Sequence, residues 1–220
     1  RTCIREVEHW LQPAGAWPTW VLSNHDNVRQ RSRYQGSERA ARAAAVLLLT
    51  LRGTPFIYQG EELGLEDAHI ADEARIDPGG RDGCRAPIPW LAEPPHDWNG
   101  ASPWLPFPPD ADELAAERQV GAANSMFALY QRLLAARKAS PALLHGDFEE
   151  LPSHPEVLAY RRQLGDDLRL VCINFAEAAH ACPQSGDWTV EIASDGLGEG
   201  EPYAGTLNPG QALVLRPTEA

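Results

Sequence analysis

The chain has 220 residues, a net charge of -12 at pH 7 and 43% hydrophobic residues. The acidic balance argues against a nucleic-acid partner, for which a basic surface is expected. No apolar stretch reaches the roughly 18 residues of a membrane span, so we expect no membrane partner. We expect a cytoplasmic protein with a real hydrophobic core and a neutral ligand, made of one large or two small domains. Because the chain begins Arg1-Thr2-Cys3 and its only methionine is Met126, we expect a piece of a longer protein. A signal peptide could have stood before it.

The cysteines are too scattered to predict a metal site. Cys3, Cys84, Cys172 and Cys182 form no CxxC pair and no spacing typical of zinc ligands. We therefore expect no metal site among these residues, and free thiols, as is usual in a cytosolic protein. The metal content of the intact protein stays open. A meeting of Cys172 and Cys182 across a hairpin stays open.

The first 60 residues alternate between helical and strand patterns. Apolar residues at helical spacing predict the end of a helix over 4–11, and the apolar run 17–23 predicts a buried strand. A helix is predicted over 37–51, with Gly53 just past its end, and a second strand over 54–58. Because a helix connects two buried strands, the pattern is that of a βαβ unit with parallel strands.

A long connection, residues 64–111, follows the second strand. It is rich in proline and contains Trp90, Trp98 and Trp104. Loops of this length are usually functional or disordered, and three tryptophans argue against disorder. Each indole is a candidate for stacking on a sugar ring or for anchoring the loop by burial.

The hydrophobic period changes towards the end of the chain. A short helix is predicted over 112–119 and an amphipathic helix over 124–138. After Gly146 the period becomes two, which predicts a small antiparallel sandwich. Its expected strands contain Phe148, Val157–Tyr160, Leu170–Phe175, Trp188–Ile192 and Ala212–Leu215.

Polar segments follow both predicted strands of the βαβ unit. Ser23-Asn24-His25-Asp26-Asn27-Val28-Arg29 follows the first strand, and Gln59-Gly60-Glu61-Glu62-Leu63-Gly64 follows the second. Barrel enzymes place their chemistry at this end of parallel strands. Taken alone, Asn24 and Asp26 are more typical of a turn that caps a strand than of a catalytic site.

The order of these motifs resembles the seventh and eighth strands of an α-amylase-clan glycoside hydrolase. The shared features are the apolar strand, Asn-His-Asp, an Ala/Leu-rich helix, Gly-Thr-Pro, a second strand and Gln-Gly-Glu-Glu. Arg81-Asp82-Gly83-Cys84-Arg85-Ala86-Pro87 is similar to the α-glucosidase and oligo-1,6-glucosidase branch. The resemblance covers nearly the whole chain. It implies an α/β plus all-β fold.

In that fold, residues 1–143 form the C-terminal part of a (β/α)₈ TIM barrel, about strands seven and eight with their helices. Loop 64–111 lies over the mouth of the barrel, and residues 144–220 form a small antiparallel β-sandwich domain.

The resemblance also implies roles for particular residues. Asp26 is the expected catalytic residue, a carboxylate that bonds adjacent sugar hydroxyls and stabilises the oxocarbenium-like transition state. His25 is expected to donate to a hydroxyl of the same ring, and Arg85 to line the pocket near the leaving group. Arg29 and Asp82 are further substrate-binding candidates. For Arg29, pairing with Asp26 or bracing the loop is the alternative. For Asp82 and Arg85, the alternative is an Arg–Asp pair that pins the loop.

Two other features limit the interpretation. Ala86-Pro87-Ile88-Pro89-Trp90 departs from the Thr-Pro-Met-Gln-Trp pattern of oligo-1,6-glucosidases, so linkage preference stays open. Glu61 and Glu62 are expected to point to opposite faces of a strand, so they would not flank one glycosidic bond together. We expect a structural role for them.

The resembled family places its nucleophilic Asp and its acid/base Glu after the fourth and fifth barrel strands, which would precede Arg1. No segment matches those strands, so we expect this chain to lack both groups. The parent is expected to be a retaining α-glucosidase that acts on small α-glucosides without a cofactor.

A transglycosidase of the same clan, such as a trehalose synthase or a sucrose isomerase, is one alternative. A non-catalytic amylase-like binding or partner subunit is another, which the retained Asn-His-Asp disfavours. The oligomeric state stays open.

Overall fold

The computed structural model describes residues 1–98, 102–182 and 184–218. Residues 99–101 of the predicted loop, and Pro183 and residues 219–220 of the predicted β domain, lie outside the described residues. The chain forms two compact units made of interleaved segments. One comprises Arg1–Trp20, Arg42–Pro55 and Gln131–Ala220, and the other comprises Val21–Ala41 and Phe56–Tyr130. The predicted division at residues 143 and 144 stays a prediction. None of the helices in the described ranges combines the length and the apolarity that a membrane crossing requires.

The predicted helix–strand alternation is present at the start of the chain. Helix α1 spans Thr2–Leu11, strand β1 Thr19–Val21, helix α2 Gln30–Arg33, helix α3 Glu38–Thr50 and strand β2 Thr54–Phe56. Strands β1 and β2 are hydrogen-bonded neighbours in a two-stranded sheet. Both strands are shorter than the apolar runs that predicted them. The expectation that they are buried is wrong, because their residues are exposed or half-buried, with Val21 and Phe56 about half exposed.

The long connection contains only short helical turns in its described part. These are 3₁₀ turns at Asp72–Ala74 and Asp82–Arg85. Helix α4, Ala116–Gln119, covers only the end of the helix predicted over 112–119, whereas α5, Met126–Ala139, confirms the amphipathic helix.

Helix α6, Pro141–His145, was not predicted, because a proline three residues after the helix predicted over 124–138 is also typical of a helix end. Proline is equally suited to the first position of a helix. The Ser140 hydroxyl caps α6 by accepting a hydrogen bond from the Leu143 amide at 3.2 Å.

The predicted antiparallel strands are all present in the last third of the chain. A five-stranded sheet has the order β3-β4-β5-β9-β7, and a two-stranded sheet consists of β6 and β8, all paired antiparallel. The strands are β3 Asp147–Leu151, β4 Val157–Leu164, β5 Asp167–Asn174, β6 His180–Ala181, β7 Trp188–Ala193, β8 Thr206–Leu207 and β9 Ala212–Pro217. The two-residue strands β6 and β8 were not predicted.

The two sheets share one hydrophobic core, as the predicted sandwich requires. Leu207 of β8 and Cys182, just after β6, pack against residues from one side of the large sheet, such as Leu170 and Leu213. The sulfurs of Cys172 and Cys182 lie 3.4 Å apart in this core as free thiols. The two cysteines therefore do meet.

Two buried arginines stabilise the end of α3. Burial lowers the pKa of Arg162 to about 10, so its guanidinium is charged at neutral pH. Arg137 and Arg162 donate to backbone carbonyls at 2.6 to 3.1 Å, and we call these two side chains the arginine cap. The acceptors are Leu49, Leu51 and Gly53 for Arg137, and Thr50 and Gly146 for Arg162, whose Nε also donates to the Asp147 carbonyl at 3.3 Å. The cap supplies donors to carbonyls that a helix end leaves unpaired.

Candidate active site

The segment after β1 folds into a tight turn around Asn24. The side-chain oxygen of Asn24 accepts hydrogen bonds from the Asp26 amide and from the Asn27 side chain, both at 2.9 Å. The capping interpretation is therefore correct for Asn24. The Asp26 side chain, in contrast, is 48% exposed and its carboxylate takes part in other contacts.

The Asp26 carboxylate belongs to a closed ring of charges. Its Oδ1 accepts from Arg81 Nη1 at 2.8 Å and from Arg85 Nη2 at 3.3 Å. Arg81 Nη2 binds Asp77 Oδ1 at 2.6 Å, and Arg85 Nη1 lies 3.6 Å from the same oxygen. We call Asp26, Asp77, Arg81 and Arg85 the charge ring. The other Asp26 oxygen, Oδ2, lies 3.4 Å from His25 Nε2.

The ring orients both arginines towards the turn. Hydrogen bonds from Arg81 hold the pKa of the Asp77 carboxyl below its usual range, and the bond to Asp77 raises the pKa of Arg81. Arg85 Nε also donates to the carbonyl of His25 at 2.8 Å. Two carboxylates and two guanidinium groups thus balance in charge while Asp26 Oδ2 stays outside the arginine contacts.

Asp77 is the ring member that the sequence interpretation missed. The sequence feature that could have indicated Asp77 is the segment Asp77-Pro-Gly-Gly-Arg81. Its spacing of four residues brings the side chains of Asp77 and Arg81 together across a turn. A Cβ at Gly79 would lie 3.0 Å from both Arg81 Nε and Asp77 Oδ2, so the glycine leaves room for their bond. The pair that pins the loop is therefore Asp77–Arg81.

Asp82 lies next to the ring but makes different contacts. It is 1% exposed, and its Oδ2 accepts from the amides of Ile76 at 2.8 Å and Asp77 at 3.0 Å. These bonds hold the backbone that carries Asp77.

Arg29 is also buried, with 1% exposure. Its Nη1 donates to the Gln59 carbonyl at 2.7 Å, and its guanidinium lies 4.8 Å from the centre of the Tyr58 ring. Its amide donates to Asp67 Oδ1 at 2.8 Å. Burial lowers the pKa of the Arg29 side chain. Within the described residues, Arg29 thus links the segments after β1 and β2 instead of pairing with Asp26.

Glu61 and Glu62 lie in a turn, so the expectation that they alternate along a strand is wrong. The apolar run stops pairing at Phe56, and the chain turns at Gly60. Glu61 is 2% exposed, its Oε2 accepts from the Tyr58 amide at 3.3 Å, and burial raises its pKa to about 7. Glu62 accepts from the Gly60 amide at 2.8 Å.

The three loop tryptophans divide into two kinds. Trp98 donates from its indole nitrogen to the Ile88 carbonyl at 3.0 Å and packs edge-on against Phe107, so it anchors the loop. Trp90 and Trp104 are exposed. Trp90 and Trp104 therefore present at least half of their surface to solvent, whereas Trp98 is half-buried.

The polar groups of the site suit a hydroxyl-rich neutral ligand. Guanidinium, imidazole and carboxylate groups give directional hydrogen bonds, and charge strengthens them. Across the described ranges, no three His, Cys, Asp or Glu side chains are grouped as a metal ion would require. The arrangement can orient a sugar ring and stabilise positive charge beside Asp26.

Comparison with known proteins identifies the family. Residues 1–146 match the Alpha-amylase family, described as "Alpha amylase, catalytic domain". The chain belongs to the α-amylase family. It is 37% identical over 184 residues to the "Probable alpha-glucosidase" of Rhizobium meliloti (strain 1021), an alignment that covers 78% of this chain and 33% of that protein. It is 29% identical over 247 residues to the "Trehalose-6-phosphate hydrolase" of Bacillus subtilis (strain 168), covering 95% and 44%.

The structure is similar to that of the trehalulose synthase MutB from Pseudomonas mesoacidophila MX-45. The TM-score is 0.86 at 28% identity, over 98% of this chain and 46% of that one. The chain thus spans between a third and a half of the relatives it matches. The likeness confirms the predicted fold class, the C-terminal part of an α-amylase-type barrel followed by a small antiparallel β domain.

Proposed function

We propose that the protein containing this chain is a retaining α-glucosidase for short α-glucosides, with Asp26 as the residue that stabilises its transition state. The single observation that carries this assignment is the half-exposed Asp26 carboxylate, held by two arginines in a turn after β1. Membership of the α-amylase family and relatives named as glucosidases support it. That the nucleophile and the acid/base group lie outside these residues stays a prediction.

Each group near Asp26 receives a distinct role. Arg81 and Arg85 hold Oδ1, and Oδ2 accepts hydrogen bonds from adjacent sugar hydroxyls. These bonds strengthen as positive charge develops on the ring in the oxocarbenium-like transition state. His25, which is 70% exposed, donates to a hydroxyl of the same ring, and Arg85 lies towards the leaving group.

We assign Arg29 and Asp82 to the loop and not to the substrate. Both are buried, and their hydrogen bonds go to backbone groups. We also propose that residues 1–143 belong to the barrel and 144–220 to the β domain, since the family match ends at residue 146. A cytoplasmic location stays a prediction.

A transglycosidase is the second candidate function. It is favoured by the similarity to the trehalulose synthase and to the isomaltulose synthase SmuA from Protaminobacter rubrum, with which the chain shares 29% identity at a TM-score of 0.80. Hydrolase and transglycosidase use the same retaining chemistry and differ in whether water or a sugar accepts the glycosyl group.

The test is a comparison of Asp26→Asn with Asp112→Asn in the intact protein. Asp112 is an exposed carboxylate beyond the charge ring, so it serves as the matched control. We expect Asp26→Asn to reduce kcat by 100-fold or more, equivalent to roughly 3 kcal/mol, as for the loss of one transition-state donor. Asp112→Asn should leave kcat unchanged. Hydrolysis of p-nitrophenyl α-glucoside gives kcat, and chromatography of the products from sucrose separates hydrolysis from isomerisation.

A kcat of Asp26→Asn near the wild-type value would show that Asp26 is not catalytic. Sugar binding without turnover in the intact wild-type protein would favour the binding-subunit alternative. We expect residues 1–220 alone to be inactive on p-nitrophenyl α-glucoside. Turnover by that piece that depends on Asp26 would place the catalytic pair within this chain.

A further inference from the structure

Two cysteine thiols lie in contact inside the β domain. Cys172 is on β5 of the five-stranded sheet, and Cys182 directly follows β6 of the two-stranded sheet. Their sulfurs are 3.4 Å apart, and the two residues are 0% and 1% exposed. Cys84, the other buried cysteine, differs in that its sulfur donates to the Arg81 carbonyl at 3.1 Å. The pair therefore connects the two sheets through sulfur, within the core that they share.

The backbone fixes the position of each sulfur. Strand β5, which carries Cys172, is paired on both sides, with β4 and with β9. The Cys182 amide donates to the Gly205 carbonyl at 2.9 Å, and the Cys182 carbonyl accepts from the Tyr203 hydroxyl at 2.8 Å. The fold thus holds both backbones, and each sulfur can move by rotation about its own Cα–Cβ bond.

The contact makes the two thiols chemically different. It lowers the pKa of Cys182 to about 7, although burial opposes the change. The same contact, together with burial, raises the pKa of Cys172 well above its ordinary value. The thiolate is the form of cysteine that attacks an oxidant. Cys182 is therefore the thiol that reacts first, and Cys172 lies close enough to trap the product.

We propose that Cys172 and Cys182 form a site of reversible oxidation, at which hydrogen peroxide converts the two thiols into a disulfide. The Cys182 thiolate attacks one peroxide oxygen, the O–O bond breaks, and the other oxygen takes up a proton and leaves as water. Cys182 is then a sulfenic acid. The Cys172 sulfur attacks the Cys182 sulfur, the S–O bond breaks, and a second water leaves. The two sulfurs together lose two electrons and two protons, and one hydrogen peroxide is reduced to two waters.

Formation of the disulfide requires little movement. A disulfide has a sulfur–sulfur length of about 2.05 Å, so the two sulfurs must approach by about 1.4 Å. The bond closes a loop over residues 172–182 and links the five-stranded sheet to the two-stranded sheet. Because a cross-link restricts the unfolded chain, the oxidised β domain is more stable than the reduced one. A dithiol reductant reverses the reaction by thiol–disulfide exchange.

The experiment compares the intact protein after treatment with hydrogen peroxide and after treatment with dithiothreitol. Free thiols are alkylated in denaturant, and peptide mass spectrometry then locates the cross-link. In the peroxide-treated wild type we expect a cross-link between Cys172 and Cys182, and a Tm that is higher by at least about 3 °C. Subsequent dithiothreitol should return the Tm to the reduced value.

Single variants separate this pair from the other cysteines. Cys172→Ala and Cys182→Ala should each lose the cross-link and the Tm shift, whereas Cys84→Ala, the matched buried control, should keep both. In Cys172→Ala the sulfenic acid at Cys182 meets no thiol, so dimedone should label it. In Cys182→Ala we expect labelling of Cys172 to be at least about fivefold weaker, because its thiol is less ionised.

Free thiols at Cys172 and Cys182 in the peroxide-treated wild type, or a cross-link from either one to another cysteine, would overturn the proposal. So would an unchanged Tm in the cross-linked protein, a lost Tm shift in Cys84→Ala, or equal dimedone labelling of the two single variants. Each variant is compared with itself in the two states, so a lower stability of the variant does not obscure the shift. The reaction needs no sugar and no turnover, so its outcome is independent of the Asp26→Asn test.

Discussion

The charge ring and the arginine cap use the same side chain under opposite physical conditions. In the ring, Arg81 and Arg85 bind carboxylates while their side chains stay 40% and 25% exposed. In the cap, Arg137 and Arg162 are buried and bind carbonyl oxygens. The first arrangement suits a site that a ligand must enter, and the second suits a permanent part of the fold.

The two arrangements differ in the free energy that is lost when an arginine contact is broken. Exposed ion pairs contribute about 0–1 kcal/mol, since solvent and salt screen them. A buried carbonyl that loses its donor destabilises the fold by about 1–3 kcal/mol. The contacts of the charge ring can therefore rearrange around a sugar with a small loss of free energy. Breaking the contacts of the arginine cap would destabilise the fold.

The largest expected effect is that of Arg162→Met. The substitution leaves the carbonyls of Thr50 and Gly146 without their donor. We expect a loss of about 3–5 kcal/mol in the free energy of unfolding, the sum of two or more unpaired buried groups. Urea titration of both proteins measures it.

Arg161→Ala is the matched control for the cap. Arg161 is the neighbouring arginine, and it forms an exposed ion pair with Glu149 at 2.6 Å. We expect its loss to lower stability by less than about 1 kcal/mol. Equal effects of Arg161→Ala and Arg162→Met would remove the distinction between exposed and buried arginines.

The second effect concerns Glu61 and depends on pH. Its folded pKa of about 7 exceeds the ordinary 4.5, so between these values the folded state binds more protons than the unfolded state. Wild-type stability therefore falls as the pH rises from about 4.5 to about 7. Glu61→Gln lacks this pH dependence, because an amide does not titrate. We expect the free energy of unfolding of Glu61→Gln, relative to that of the wild type, to increase by up to about 3 kcal/mol between pH 4 and pH 8.

Thermal unfolding across that pH range gives the measurement, with Glu62→Gln as the control. A stability difference between Glu61→Gln and the wild type that does not change with pH would contradict the raised pKa.

The smallest effect is expected for Asp77→Asn in the charge ring. Arg81 lowers the pKa of Asp77, so its contribution is present above the ordinary value of 3.8 and is lost as the pH falls below it. Asp77→Asn should lower Tm slightly at pH 6, and the difference should disappear on acidification. Added NaCl at about 0.5 M should also reduce it, because Arg81 is 40% exposed in this pair and salt screens partly exposed charges. The Arg162→Met difference should be insensitive to the same salt, and an equal salt response of the two variants would argue against the comparison.

The fold could be predicted where a pattern is local and repeated. The alanines and leucines of α3, and the short apolar runs of β4 and β5 between polar turns, specify their elements within a few residues of sequence. The predicted period of two is absent from β4 and β5, because their apolar runs are buried on both faces. Helix α6 was missed because Pro141 signals both the end of one helix and the start of the next. Strands β6 and β8 were missed because two residues carry no period.

The site was predictable in position and less so in its contacts. The family resemblance assigned His25, Asp26 and Arg85 to one pocket, and in the structure Arg85 contacts both His25 and Asp26. The partner of Arg81 was not evident, since Asp77 and Asp82 have the same chemistry and only the turn at Gly79 selects between them. The burial of Arg29 depends on contacts with residues 30 to 38 positions away, which no local pattern reports.

The arginine cap also constrains the order in which the chain can mature during synthesis. Helix α3 ends at Thr50, but the guanidinium groups that serve its last carbonyls are translated 88 to 112 residues later. A nascent chain that has reached only β2 must leave those carbonyls to water. The end of α3 therefore reaches its final form only after β4 has emerged from the ribosome, although the helix itself is made early.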